Sequence, residues 1–86
     1  MQQQNPVDMA YSNYNDFIAA VCTRTEALKQ QTGWRYGQAF FNCLFDERPD
    51  IAEELRGTPV DPFFRTVVDT KTYETIRSLY EVREIS

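Results

Sequence analysis

Eighty-six residues, 42% apolar and 26% charged, fit a single globular domain and leave no room for a second. Nine Lys and Arg against thirteen Asp and Glu give a net charge of −4, and no cluster of bases exists whose counterion release would drive nonspecific nucleic-acid binding. With no histidine and two cysteines, the ordinary structural zinc sites cannot be assembled within one chain, and Ser-His and Cys-His nucleophiles lose their usual base.

Residues 1–10, with Gln2, Gln3, Gln4 and Asn5, read as a flexible polar leader, and residues 11–86 as one helical domain. Neither the basic start nor the apolar core of a signal peptide is present, and no apolar run approaches membrane-spanning length, so a cytoplasmic protein without membrane contact is expected.

Ser12 or Asn13 can cap a first helix in which Tyr14, Phe17, Ile18, Val21 and Leu28 keep a 3.6-residue period, and Gly33 closes it. The stretch Trp34 to Phe45 is the densest apolar run of the chain. On a helix, Phe40, Phe41, Leu44 and Phe45 cover a face wide enough to be touched on more than one side, which makes this segment the hub of the core. Gly37 weakens such a helix by roughly 1 kcal/mol relative to Ala, so a close approach of another backbone or a special first turn is expected there.

Pro49 ends the hub helix and opens a short third one, with Asp50, Glu53 and Glu54 near its positive end, Ile51, Ala52 and Leu55 buried, and Gly57 as its stop. Residues 58–64 carry two prolines and form a connection with local order. Phe63 and Phe64 either anchor it to the core or stand out as a binding knob, with the core favoured. Asp69 or Thr70 caps a last helix with Tyr73, Ile76, Leu79, Tyr80 and Val82 on its inner face. The alternation in 80–85 also admits a short strand, which would lack a partner. The expected fold is therefore all-α: a compact bundle of three main helices and one short one, the hub packed by the first and last.

Cys22 and Cys43 fall in apolar helical faces and read as buried free thiols, a disulfide between neighbouring helices being the alternative. Ten acids face six bases from Asp46 onward, so the whole charge surplus sits in the second half, and a basic or neutral partner surface fits it better than nucleic acid. Carboxylates at Asp46, Glu47, Asp50, Glu53 and Glu54 leave a carboxylate-metal enzyme as a remote reading, the plain one being a solvated acidic face; no cofactor and no catalytic residue is expected. Arg35, Gln38 and Asn42 share one stripe of the hub helix. They either face a partner or serve inside the fold, where Gln38 or Asn42 would satisfy the backbone of the 59–64 connection. Arg56 and Asp61 bracket that connection and are expected to pair.

The run Arg35-x-Gly37-Gln38-x-x-Phe41-Asn42, followed by Arg56-Gly57-Thr58-x-x-Asp61-Pro62-Phe63, resembles a pattern in a family of small uncharacterised proteins of bacteria and their phages. The resemblance covers about thirty residues. It implies a prokaryotic or phage setting and supplies no mechanism. The function expected is a non-catalytic interaction module, phage-encoded, that binds a host or phage protein. Its partner-binding candidates are Arg35, Gln38, Asn42, Arg56, Asp61, Phe63 and Phe64. An acidic mimic of nucleic acid that blocks a DNA-binding protein is the second reading, and an exposed Phe63-Phe64 pair would favour a homodimer.

Overall fold

The computed structural model describes residues 11–85, and the leader lies outside them. Among the described residues there are four helices and no strand: α1 (Tyr14–Thr32), α2 (Tyr36–Glu47), α3 (Pro49–Leu55) and α4 (Thr70–Ile85). This is the all-α bundle of three main helices and one short one, and 80–85 belongs to α4.

Local chemistry sets most of the boundaries. The Asn13 side chain accepts from the Asp16 amide at 2.9 Å to start α1, and Gly33 ends it in the left-handed conformation at φ 76°, its amide donating to the Lys29 carbonyl. Pro49 occupies the first turn of α3, where a missing amide proton costs nothing, and Gly57 follows α3 at φ 76°. Asp69 caps α4 by accepting from the Thr72 amide at 3.0 Å.

The core is built from Phe17 and Val21 of α1, Phe40, Phe41, Cys43 and Leu44 of α2, Ile51, Ala52 and Leu55 of α3, and Ile76 and Tyr80 of α4. Along its length α2 packs against α1 and α3, while α4 lies mainly against α1 and α3. The hub is thus flanked by the first and the short helix. The last helix reaches it through side chains such as Tyr73, whose ring meets Phe40 edge-on at 5.7 Å. Val82 is 65% exposed, so the inner face of α4 runs through Tyr73, Ile76, Leu79 and Tyr80 and leaves Val82 outside. Tyr80 is sandwiched instead, stacked on Phe17 at 4.8 Å and covered by the Arg48 guanidinium at 5.4 Å.

The thiols are unbridged, Cys43 buried and Cys22 half-buried with its Sγ 3.7 Å from the Tyr73 hydroxyl. Burial pushes the Cys43 thiol up from its ordinary value.

Candidate functional site

The connection between α3 and α4 is short of regular structure, yet nearly every turn of it is tied down. Asp61 holds its first half, one carboxylate oxygen accepting from the Gly57 amide at 2.8 Å and the other from the Phe63 amide at 2.9 Å. Thr58 Oγ1 donates to the Leu55 carbonyl, and the Arg65 guanidinium donates to the Pro59 carbonyl. The buried Thr72 of α4 donates to the Val60 carbonyl at 2.9 Å.

The start of α2 meets the same connection. The Gly37 amide donates to the Arg65 carbonyl at 2.9 Å, and Arg35 Nε donates to the Phe63 carbonyl at 3.1 Å. The close backbone approach expected at Gly37 is therefore present. Of the stripe Arg35, Gln38 and Asn42, it is Arg35 that meets the backbone of the connection, whereas the Asn42 amide donates to the Gln38 carbonyl within α2. The expected Arg56–Asp61 pair does not form either. Arg56 pairs with Glu53 at 3.0 Å, because the turn at Gly57 directs both Asp61 oxygens toward backbone amides.

Between α2 and this connection lies a groove of about 440 Å³ lined by Phe41, Asn42, Phe45, Arg56, Asp61, Phe63 and Phe64. Its walls are aromatic: Phe41 lies 6.3 Å from Phe45 and 5.8 Å from Phe63, and Phe63 lies 4.9 Å from Phe64, between ring centroids. Two guanidiniums cover those rings, Arg56 at 5.8 Å from both Phe41 and Phe45, and Arg35 at 5.7 and 5.5 Å from Phe63 and Phe64. The alternative of core or knob divides between neighbours. Phe63 is half-buried against Phe41, whereas Phe64 is 80% exposed.

Five of the seven candidate residues therefore line one groove, Arg35 lies beside two of its rings, and Gln38 stands apart from its lining. Phe41 and Phe45 complete it, although both read as core from the helical pattern. The signal available for Phe45 was the width of the apolar face itself, since Phe40, Phe41 and Leu44 already fill the core and leave Phe45 37% exposed. The two halves of the motif, Arg35 to Asn42 and Arg56 to Phe63, prove to be the two walls of this groove. Asn42 also borders a second hollow, of about 320 Å³, with Arg24, Leu28, Trp34, Cys43 and Asp46.

The acids gathered in and around α3 face arginines. Arg24 bridges Asp46 and Glu47, Arg48 and Arg83 both reach Asp50, Arg83 also reaches Glu54, and Arg56 takes Glu53. The Arg48 guanidinium holds the Asp50 carboxyl below its ordinary range. Among the described residues no group of three or more Cys, Asp or Glu side chains is arranged to hold a metal ion, and no helix is long and apolar enough to cross a membrane.

No family model, no curated protein and no solved structure matches this chain.

Proposed function

We propose that this chain is a small non-catalytic interaction module, phage-encoded, that acts by binding a host or phage protein through the groove between α2 and the 58–69 connection. The observation that carries this reading is Phe64, 80% exposed on a connection otherwise fastened to the fold, at the rim of a groove whose other rings are Phe41, Phe45 and Phe63. An exposed aromatic beside a partly desolvated arginine is the composition of an interface centre, where few residues supply most of the affinity. Order in the connection lowers the entropic cost of docking. The phage or bacterial setting rests on the resemblance of the two motif segments. The mimic reading is weakened by the arginine partners of Asp46, Glu47, Asp50, Glu53 and Glu54, since a phosphate-like array needs unpaired charge.

The test is affinity capture from a bacterial lysate with and without phage infection, using the native chain and the variants Phe45→Ser and Phe64→Ser. A partner retained by the native chain in moderate salt and lost with both variants is the expected result. Capture that ignores both substitutions would move the interface elsewhere. Capture that collapses with modest salt alone would favour the mimic.

A further inference from the structure

The arginines of the described residues divide unequally. Arg24, Arg48, Arg56, Arg65, Arg77 and Arg83 each have a carboxylate within 4 Å, whereas Arg35 has no acidic partner among the described residues. Its Nε is engaged by the Phe63 carbonyl and its guanidinium carbon lies 5.7 and 5.5 Å from the Phe63 and Phe64 ring centres, which leaves the donors of its two terminal amino groups beside two rings of the aromatic groove. The Phe63 carbonyl and the two neighbouring rings hold the fork before any ligand arrives, and a preorganised guanidinium is suited to a carboxylate.

We infer that the groove receives a segment of the partner protein in which an apolar side chain is flanked by an Asp or Glu, the apolar group entering between Phe41, Phe45 and Phe64 and the carboxylate meeting Arg35. The inference rests on the groove being the docking surface, and adds the chemistry of what docks. It reverses the expectation drawn from net charge. The acids of residues 46–54 are each matched by a neighbouring arginine, so beside the groove the guanidinium of Arg35, without a carboxylate among the described residues, decides the local preference. Asp61 also borders the groove, but its two oxygens accept from the Gly57 and Phe63 amides, whose dipoles offset part of its charge.

Three end-blocked peptides in a Gly-Ser background test this on the full chain, followed by NMR of the phenylalanine ring signals and by fluorescence polarisation. They carry at their centres Glu-Phe-Glu-Leu-Glu, Lys-Phe-Lys-Leu-Lys and Glu-Ala-Glu-Ala-Glu. The expected result is that the first binds and shifts the Phe41, Phe45, Phe63 and Phe64 signals, with the other two about tenfold weaker or more. Affinity for the first should fall with added salt and drop about tenfold in Phe64→Ser, whose exposed position leaves the fold intact.

Equal or tighter binding of the lysine peptide would overturn the acidic specificity while leaving the groove as a docking surface. Failure of all three peptides to move the ring signals would also overturn the inference. The docking reading would then fall only if lysate capture also ignored Phe45→Ser and Phe64→Ser. Ring signals that shift with protein concentration alone would make a second copy the occupant and likewise overturn the inference.

Discussion

The amide of Gly37 and the carbonyl of Arg65 are hydrogen-bonded at 2.9 Å, backbone against backbone, with no space for a side chain between the strands of chain they belong to. A Cβ at residue 37 would lie 1.9 Å from the Pro62 carbonyl oxygen and 2.3 Å from that of Arg65. Since α2 positions Phe41 and Phe45 while the connection positions Phe63 and Phe64, this contact sets the width of the groove.

Gly37→Ala therefore sets two effects against each other. Helix propensity favours alanine by about 1 kcal/mol, but the clash is with backbone on both contacts and cannot be relieved by a rotamer change. The clash wins, with a net loss of about 2–3 kcal/mol or failure to fold. Gly33→Ala, where a Cβ meets nothing but φ is 76°, should lose only about 1 kcal/mol. Urea denaturation of both variants separates steric exclusion from backbone strain.

Arg35 and Asp61 should prove to be fastenings of the connection. Arg35→Ala removes the hydrogen bond to the Phe63 carbonyl and two ring contacts, and Asp61→Ala leaves the Gly57 and Phe63 amides without their acceptor. Each should cost about 1–2 kcal/mol. Amide exchange should quicken at Phe63 more than in α1, because the loss is local to the connection.

Tyr36 and Tyr73 confer an alkaline limit. Burial, reinforced by the Cys22 thiol, pushes the Tyr36 hydroxyl up to about 12 and raises that of Tyr73 as well, from an ordinary 10.0. A folded-state pKa above the unfolded value stabilises the fold fully below pH 10 and loses that contribution as pH rises from about 10 to 12. Alkaline titration followed by circular dichroism and tyrosinate absorbance should show unfolding in that window, at higher pH in Tyr36→Phe.

The thiols should react in order. Cys22 is half-buried, whereas Cys43 is 2% exposed with its thiol pushed up by burial, so a charged disulfide reagent should label Cys22 first. Cys43 should follow about tenfold more slowly or less, at a rate tied to opening of the α1–α2 packing. Mass spectrometry of time points gives the order, and equal rates would contradict the packing described for α2.

The elements were legible because their signals are local. Asn13, Gly33, Pro49, Gly57 and Asp69 act within a few residues of themselves, and each ends or starts a helix where its own chemistry requires. Val82 fits the apolar period of α4 equally well, yet it is 65% exposed, because period alone does not say where along a helix the core stops. Phe63 and Phe64 are identical residues side by side, and nothing in their order says which one meets Phe41. The expected Arg56–Asp61 pair fails for a related reason: opposite charge at short sequence separation is a weaker guide than the direction in which a turn presents its amides.

The order of residues alone determined the helical class, the four segments and the expectation that something presses on Gly37, since these follow from period, capping and the absence of a Cβ. Only the folded chain decided that Pro62 and Arg65 are what press there, that the two motif segments face each other across one groove, and that Arg35 ends beside aromatic rings with no acid on it among the described residues. Those outcomes depend on which distant surfaces meet, and that is settled by the joint packing of all four helices.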